Sequence, residues 1–374
     1  MCIVEVIPLT LLPPNVPQIL SYFHAHELSK GAVVEISLNK RKVKAVVVSS
    51  SSLEKEKLSL KRVDFQIKKI NKVLFQKPQV SDYQLKLAVW LAKYYYAPLG
   101  YTLKTILPPF ALKKKCPALQ QADVYGAKNR LLSDGADPTI PKKQLLIYKT
   151  KRLVEHLEPL IKKVVSKPFN ATRGKQVLIV VPEKASINYF TEYFAKKYNT
   201  TIICSGLSNE KLCDAWQKAE SGEAKVIVGT RQALNIPFND LGLIIVDDPL
   251  HEFYKSDMVP RYNAAKLAEK VAELNNARLV LTSVAPGVEN YYRYKLQTTN
   301  YKLLEPRPKF NTEIIDMAQE IKNGNWSLIS KKLNEELLAH LRDNKKVLIF
   351  SPRRGYAGIL ICDNCGSAVK CPQC

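Results

Sequence analysis

The sequence predicts an α/β protein in which a parallel β-sheet follows a smaller β-rich domain. Short apolar runs rich in β-branched residues recur between Lys175 and Ser283, and helical stretches separate them. Runs of this length that alternate with helices are typical of buried parallel strands. Residues 1–112 instead contain strands that precede one helix, and cysteines crowd the C-terminus. These observations predict a β-rich domain, an α/β lobe and a cysteine-rich end.

The β-rich domain, residues 1–112, is predicted to be a small barrel or sheet followed by a helix. Strands are predicted at four segments, which are Met1–Pro8, Ala32–Leu38, Val43–Val48 and Lys69–Phe75. Ser49–Leu53 is interpreted as a polar loop. The apolar spacing from Asp82 to Tyr96 predicts the helix. Residues 113–143, which include a lysine run and a segment rich in turn-forming residues, are interpreted as a linker.

The charge of the chain indicates a polyanionic partner. It has 57 Lys and Arg against 34 Asp and Glu, a formal net charge of +23. Such a surface attracts nucleic acid first and anionic membranes second. Six basic residues of the β-rich domain are candidate phosphate contacts: Lys40, Arg41, Lys42, Lys44, Lys61 and Arg62. The alternative for the run from Lys40 to Lys44 is an ordinary solvated hairpin tip.

The sequence does not predict a membrane protein. No apolar run approaches the roughly 18 residues of a membrane span. The N-terminus lacks the pattern of a signal peptide. We therefore expect a cytoplasmic protein.

The predicted lobe, residues 144–300, places polar residues where its strands end. Its strands are followed by Pro182-Glu183, Gly229-Thr-Arg231, Asp247-Asp248 and Thr282-Ser283. Ligands of parallel sheets bind outside the carboxyl ends of the strands. The pattern alone fits any doubly wound domain.

The order and spacing of these segments resemble one family. The matching segments include Val181-Pro-Glu183, Ser205-Gly-Leu-Ser208, Gly229-Thr-Arg231, Leu241–Asp247, Tyr254-Lys255 and Pro260-Arg-Tyr262. They are similar to the primosomal protein N-prime family, the bacterial replication-restart DNA helicases of superfamily 2. The resemblance covers most of the chain. It implies a RecA-like helicase lobe, then an interlobe link and the start of a second lobe over residues 301–361, with a zinc insertion over residues 362–374. Lys346–Phe350 is predicted to be the first strand of the second lobe. The family usually has a winged-helix domain after the first domain, but residues 113–143 are too few to form one, so this domain is interpreted as absent or reduced.

The N-terminal part carries the resemblance as well. Trp90–Gly100 resembles the end of the family's DNA-binding domain, which pockets the 3′ end of the nascent leading strand. The resemblance implies that Tyr22, in the turn Leu20-Ser21-Tyr22, and Gly31 belong to that pocket. Ser21 stands where the family has an acidic residue, which weakens the case for reading a 3′-hydroxyl. The alternative for Tyr22 is an aromatic packed inside the barrel. The resemblance further implies that Arg231 lies on the DNA track, with a buried structural ion pair as its alternative.

The nucleotide motifs depart from the family. A helicase requires Gly-x-x-x-x-Gly-Lys-Ser/Thr after its first strand, because the glycines let the backbone wrap the phosphates. Here Gln144–Tyr148 leads to Lys149 and Thr150, but no glycine lies between Gly135 and Gly174. Lys149 and Thr150 are therefore at most vestigial ATP-binding residues.

The acidic motif has changed too. The family has Asp-Glu at a strand end, where the Asp binds Mg²⁺ and the Glu polarises water. This chain has Asp247 and the shorter Asp248, which we interpret as vestigial catalytic residues. Ser283-Val-Ala285 replaces the family's Ser-Ala-Thr. Binding of ATP and Mg²⁺ is therefore doubtful, and the sequence predicts a lost ATPase.

Four cysteines form two Cys-x-x-Cys pairs: Cys362, Cys365, Cys371 and Cys374. Such pairs are the usual ligands of a structural Zn²⁺. In the family, however, adjacent pairs do not share one metal. Two half-sites, one strained four-cysteine site and a truncated product all remain open.

The function predicted is a cytoplasmic, nucleoid-associated DNA-binding protein of replication restart and primosome assembly. It would be a monomer that binds forked or single-stranded DNA, with other primosome or single-strand-binding proteins as partners. Two alternatives remain. One is an active ATP-dependent 3′–5′ DNA helicase of replication, recombination and repair, and the other is a non-functional fragment.

Overall fold

The structure is a computed structural model. It describes residues 1–13, 15–39, 41–52, 67–108, 110, 112, 153–166, 175–285, 287–290, 292, 313–350, 362, 364–365 and 367–368, and the backbone of 144–148 and 301–304. The chain divides into two compact units, Met1–Arg307 and Pro308–Cys374. Each unit is described by itself. The predicted domain boundaries inside them stay predictions.

A six-stranded sheet begins the first unit. Its strands are β1 (Cys2–Pro8), β2 (Leu20–His24), β3 (Val33–Leu38), β4 (Arg41–Ser52), β5 (Lys68–Lys69) and β6 (Lys72–Phe75). They lie in the order β5-β2-β1-β4-β3-β6, and every pair except β2 and β5 is antiparallel. A bulge at Glu5 and Val6 lets β1 bury both Val4 and Val6–Pro8. The predicted β-rich domain is confirmed.

Two local predictions for this sheet are wrong. Ser49–Ser52 is not a loop, because β4 continues through these serines and pairs with Cys2–Glu5 of β1. Leu20-Ser21-Tyr22 is not a turn, because it begins β2 and pairs with Val4–Val6. In both cases the neighbouring strand β1 supplies hydrogen-bond partners for the backbone. Pairing with β1, and not the polar composition of the segment, therefore decided the conformation.

Two helices follow the sheet, α1 (Asp82–Tyr94) and α2 (Leu99–Ile106). Ser81 and Gln84 form a capping box at the start of α1, in which each side chain bonds to the other's backbone N–H. At the other end Tyr96 has a φ of 49°, and the Ala97 N–H donates to the carbonyl of Ala92. This is the usual left-handed end of a helix, with tyrosine at the position that glycine most often occupies.

A seven-stranded parallel sheet forms the lobe. Its strands are β7 (Gln144–Tyr148), β8 (Gln176–Val180), β9 (Thr200–Ile203), β10 (Val226–Gly229), β11 (Leu241–Asp247), β12 (Arg278–Ser283) and β13 (Tyr301–Leu304). The helices are α3 (Leu153–Val165), α4 (Ala185–Phe194), α5 (Asn209–Glu220) and α6 (Ala264–Leu274). The order is β13-β7-β12-β11-β8-β10-β9, and all pairs are parallel. The predicted parallel α/β sheet is confirmed.

The helices of the first domain pack on this lobe. The Tyr83 hydroxyl donates to the Leu234 carbonyl at 3.3 Å, and the Asn263 N–H donates to the Tyr95 hydroxyl at 3.1 Å. Phe110 meets Trp216 edge to face, with ring centroids 6.0 Å apart. One buried apolar cluster contains residues of α1, α2 and the lobe. The sheet domain and the lobe therefore share part of their core.

The second unit contains α7 (Met317–Lys322) and α8 (Lys331–Arg342). The Ser330 side chain caps α8 by accepting from the Leu333 N–H at 3.0 Å. The strand predicted at Lys346–Phe350 is not found, and Leu348 and Phe350 are exposed. A strand requires a hydrogen-bonded neighbour, and the described residues of this unit supply none there. Among the described residues, no helix combines the length and the apolar composition needed to cross a bilayer.

Candidate nucleic-acid interface and nucleotide site

The carboxyl edge of the parallel sheet divides into two halves. The nucleotide half consists of the ends of β7, β12 and β11, and the cleft half consists of the ends of β8, β10 and β9. The strands β11 and β8 are neighbours, so the two halves meet where Asp247 and Val180 end their strands. This edge is where ligands of parallel sheets bind.

The cleft half opens into a cleft of about 530 Å³. Loops after β8, β9 and β10 line it, together with a segment that follows β11. Three cations and three carboxylates lie in its lining: Lys184, Arg231, Lys255, Glu183, Glu252 and Asp257. Lys184 and Lys255 are exposed, so both ammonium groups can reach a ligand. The lining is balanced in charge, so attraction of a phosphate would depend on where the cations lie and not on net charge.

Arg231 shapes one wall of the cleft. Its Nη1 donates to the carbonyl of Phe253 at 3.3 Å and to that of Lys255 at 3.1 Å. The residue begins a 3-10 helix, Arg231–Asn235, directly after β10. Gly229 ends β10, and a Cβ there would lie 2.3 Å from the Ile203 carbonyl oxygen. The close approach of β10 to β9 therefore requires glycine and sets the position of Arg231.

Tyr254 joins the two halves. It is fully buried, and its hydroxyl lies 2.9 Å from the Val180 carbonyl and 2.6 Å from the Asp247 carbonyl. Burial, with the charges of Asp247 and Asp248, raises the pKa of Tyr254 well above its ordinary value. The phenol therefore stays protonated and remains a donor to the strand ends.

The nucleotide half brings the vestigial acidic residues to neighbouring strand ends. Asp247 is only 1% exposed, and its Oδ1 accepts from the Thr282 hydroxyl at 2.8 Å. Asp248 has a left-handed φ of 51° and donates its N–H to the Thr282 carbonyl at 2.7 Å. The strand β7 lies beside β12, with Tyr148 paired to Ser283. Lys149 and Thr150, which follow Tyr148, lie outside the described residues, so their predicted roles stay predictions.

The candidate phosphate contacts of the first domain lie on the β3–β4 hairpin. Arg41 and Lys42 are exposed on β4, and Lys44 donates to the Leu112 carbonyl at 2.8 Å. Arg41 and Lys42 can therefore reach a phosphate in this conformation, whereas the Lys44 ammonium is already bonded. The other three predicted contacts, Lys40, Lys61 and Arg62, lie outside the described residues.

The two predicted 3′-pocket residues have structural roles. Tyr22 is 4% exposed, and its hydroxyl donates to the Ser37 carbonyl at 2.9 Å. Stacking of Tyr22 on a base would require its ring to leave the core of the sheet. Gly31 has a φ of 83°, and a Cβ there would lie 2.1 Å from the Val80 carbonyl oxygen. These contacts account for both residues without a ligand, and their roles toward DNA stay predictions.

The described cysteines of the C-terminal motif are Cys362 and Cys365. The Cys362 N–H donates to the Ser367 carbonyl at 2.9 Å, and the Cys365 Sγ lies 2.9 Å from the Ser367 hydroxyl. Hydrogen bonds from Ser367, and then from Cys362, lower the pKa of the Cys365 thiol. Thiolates are the ligands that Zn²⁺ takes, so this pair fits half of a zinc site. Cys371 and Cys374 lie outside the described residues, and among the described ones no cluster of three metal ligands occurs.

Sequence reasoning missed several residues of the cleft. Lys184 and Glu252 were not singled out, and Lys255 was noted only as part of a family motif. Lys184 directly follows the Pro182-Glu183 strand end, so the rule that ligands bind there could have identified it. Nothing in the sequence indicated that the segment after β11 would fold back beside the ends of β8 and β10.

Part of the chain matches a known family model, and longer stretches are similar to curated proteins. Residues 8–108 match the family model of the PriA 3′DNA-binding domain (3′BD). Replication restart protein PriA of Bacillus subtilis is 32% identical over 210 residues, which cover 54% of this chain and 26% of that protein. The PriA proteins of Rickettsia conorii and Helicobacter pylori are each 28% identical, over 93% and 95% of this chain and 53% and 54% of their own lengths.

Similarity to solved structures is weaker. A DEAD box protein from Methanococcus jannaschii is 15% identical over 54% of this chain and 60% of its own, with a TM-score of 0.33. That score is too low to support an inference. The chain matches about a quarter to about half of the length of its curated relatives. The 3′DNA-binding-domain match and these relatives show that the chain is similar to PriA proteins over most of its length.

Proposed function

We propose that the chain is a DNA-binding protein of replication restart that binds forked or single-stranded DNA. The observation that carries this proposal is the match of residues 8–108 to a 3′DNA-binding domain. Two features of the described residues support it. The exposed Arg41 and Lys42 present positive charge on the β3–β4 hairpin, and Lys184 and Lys255 do so at the cleft. The proposed partners, primosome and single-strand-binding proteins, and a monomeric, nucleoid-associated state belong to the same hypothesis.

The proposal includes loss of ATP hydrolysis. Asp248 is one methylene shorter than the glutamate that polarises water in the family, and its left-handed backbone turns away from an extended continuation of β11. The segment after β7 has no glycine to let phosphates approach the backbone. The lobe would then not hydrolyse ATP, and it would act as a scaffold.

One observation favours a second candidate, an ATP-driven helicase. Asp247 remains at the end of β11, beside the ends of β12 and β7, where the family holds Mg²⁺. An aspartate at this position could still bind a Mg²⁺–nucleotide complex if Lys149 and Thr150 contact the phosphates.

The first experiment measures ATP hydrolysis by the full chain with and without forked DNA. We expect no DNA-stimulated hydrolysis, together with retained fork binding. A stimulated rate that Asp247→Asn abolishes would contradict the scaffold proposal and establish the helicase candidate. Loss of both hydrolysis and fork binding would favour the non-functional fragment.

The second experiment tests the first domain. Neutralising Lys40, Arg41, Lys42 and Lys44 together should weaken fork binding. The slope of log affinity against log salt should fall by roughly 0.7–0.9 per lost phosphate contact. An unchanged slope would reject this hairpin as a DNA contact.

We also propose that Cys362, Cys365, Cys371 and Cys374 are Zn²⁺ ligands, either in one four-cysteine site or in two half-sites. The ion would supply a structural cross-link and no chemistry. Zinc content of the purified chain should fall when Cys362 and Cys365 are changed to serine. An equal zinc content in the variant would contradict this assignment.

A further inference from the structure

The outer face of α1 carries aromatic and basic side chains. Residues spaced three and four apart share one face of a helix, and here these residues are Lys86, Val89, Trp90, Lys93 and Tyr94. Lys86, Val89, Lys93 and Tyr94 are exposed, and Trp90 is half-buried. The opposite face buries Leu85, Ala88 and Leu91 in the core. Trp90 packs against the edge of the core, but the core does not explain the exposed ring of Tyr94.

Two of these rings are in direct contact, and a third aromatic residue follows the helix. Trp90 and Tyr94 are stacked, with centroids 5.0 Å apart and planes inclined by 21°. Tyr94 is 49% exposed, and Tyr96, just beyond the helix, is 97% exposed. The exposed part of the Tyr94 ring is accessible to a planar ligand. We call Trp90, Tyr94 and Tyr96 the aromatic strip.

The charges around the aromatic strip favour an anionic ligand. Lys86 and Lys93 are exposed on the same face, and the Lys270 Nζ lies 5.9 Å from the Trp90 centroid. The carboxylates of α1 and α6 are each in an ion pair: Asp82 with Lys30, Glu269 with Lys266 and Glu273 with Lys270. Planar rings among lysines match the combination of bases and phosphates in single-stranded nucleic acid.

The aromatic strip also continues from the cleft. Lys255 lines the cleft, and its Nζ lies 5.7 Å from the centroid of Tyr95. The rings of Tyr95 and Tyr94 meet edge to face, 4.9 Å apart. The Asn263 N–H, which donates to the Tyr95 hydroxyl, fixes this bridging ring against the lobe. A strand leaving the cleft at Lys255 would therefore next meet Tyr94.

We propose that the aromatic strip is a base-stacking platform for single-stranded DNA, which extends the path of the strand beyond the cleft. This inference rests on the proposed function, because it assumes that the cleft holds DNA. The bases would stack on Tyr94 and Tyr96, and Lys86 and Lys93 would contact the phosphates. Stacking is tolerant of sequence because every base has a π-face, so the platform would not select particular bases.

The test compares two ligands and two variants of the full chain. The ligands are an oligothymidylate of about 15 nucleotides and an abasic oligonucleotide of the same length. The first variant is Tyr94→Ala with Tyr96→Ala, and the matched control is Tyr94→Phe with Tyr96→Phe, which keeps both rings. Both side chains are exposed, so we expect every variant to fold.

We expect the alanine variant to bind oligothymidylate at least about fivefold more weakly than the wild type. Its affinity for the abasic ligand should be nearly unchanged, because that ligand has no bases to stack. The phenylalanine variant should match the wild type on both ligands.

Three results would overturn the platform. They are no loss with the alanine variant, an equal loss on both ligands, and an equal weakening by the phenylalanine variant. The first would leave the strip as a surface for another partner, such as a protein, and would spare the proposed function if the wild type still binds DNA. Failure of the wild type to bind either ligand or a fork would overturn the proposed function and the platform together.

Discussion

The cleft half and the nucleotide half belong to one sheet, but they differ in what their strand ends offer. At the cleft half, Lys184 and Lys255 are exposed around an open cleft. At the nucleotide half, Asp247 is 1% exposed and bonded to Thr282. The strands β8 and β11 are nevertheless buried almost alike. Buried strand interiors therefore preserve the fold, while the strand ends can change their chemistry separately.

The largest expected effect would show whether the cleft half binds DNA. Changing Lys184 and Lys255 to glutamine should weaken binding of single-stranded DNA by about ten- to a hundredfold. The salt slope should fall by roughly 1.4, since each lost contact to a single strand removes about 0.7. Fluorescence anisotropy over a series of salt concentrations measures both quantities.

A charge-matched control makes this test specific. Lys162 and Lys163 are exposed on α3, and their change to glutamine removes the same charge away from the cleft. The control should alter the salt slope much less. Equal salt slopes for the two variants would mean that DNA binding depends only on the net charge of the chain. The cleft half would then not be a DNA-binding site.

The next effect concerns the helix beside the cleft half. Burial raises the pKa of Glu220, the last residue of α5, to about 7. A carboxyl whose folded pKa is raised binds its proton more tightly in the folded chain, so stability falls as pH rises from about 4.5 to about 7. Relative to Glu220→Gln, the wild type should lose about 3 kcal/mol of unfolding free energy between pH 4.5 and pH 8. Urea unfolding at several pH values measures this difference. If Glu220 were solvated, the unfolding free energies of the wild type and of Glu220→Gln would change with pH in parallel, which would contradict the prediction.

A smaller effect should appear where the halves meet. Tyr254→Phe removes the donor that lies between the carbonyls of Val180 and Asp247. We expect a loss of about 1–2 kcal/mol, because buried polar groups lose a partner without a cavity being created. Thermal unfolding would measure it, with Tyr189→Phe on the exposed part of α4 as the control. A change no larger than that of the control would show that the hydroxyl does not hold the strand ends together.

The smallest expected effect is a gain. Tyr96 has a left-handed φ of 49°, a conformation that costs less for glycine. Tyr96→Gly should therefore raise the free energy of unfolding by about 0.5 kcal/mol. The same change should weaken DNA binding if the aromatic strip acts as proposed. A Tyr96→Gly variant that is more stable and binds DNA as tightly as the wild type would show that Tyr96 does not contribute to DNA binding.

The sequence was most informative where one face or both faces of an element are buried. The runs that became β8, β10, β11 and β12 were recognised because parallel strands buried on both sides are continuously apolar. The helix α1 was anticipated for a similar reason, since the apolar spacing from Asp82 to Tyr96 matches the helical period.

Prediction failed where pairing with a distant segment decided the outcome. Ser49–Ser52 joined β4 because β1 lies beside it, and no local property of serine indicates that neighbour. Lys346–Phe350 has the composition of a strand, yet no described segment of its unit pairs with it. The cleft depends on the segment after β11 folding toward Arg231, a tertiary contact that spacing along the chain does not reveal.

The turn that contains Tyr254 is held from both sides: Arg231 binds the carbonyls of its neighbours, and the Tyr254 hydroxyl binds the ends of β8 and β11. Every one of these bonds is internal to the protein. The conformational entropy of this turn is therefore lost when the chain folds, and a ligand that enters the cleft does not have to order it. If a DNA strand enters the cleft as proposed, it meets a wall whose conformation folding has already fixed.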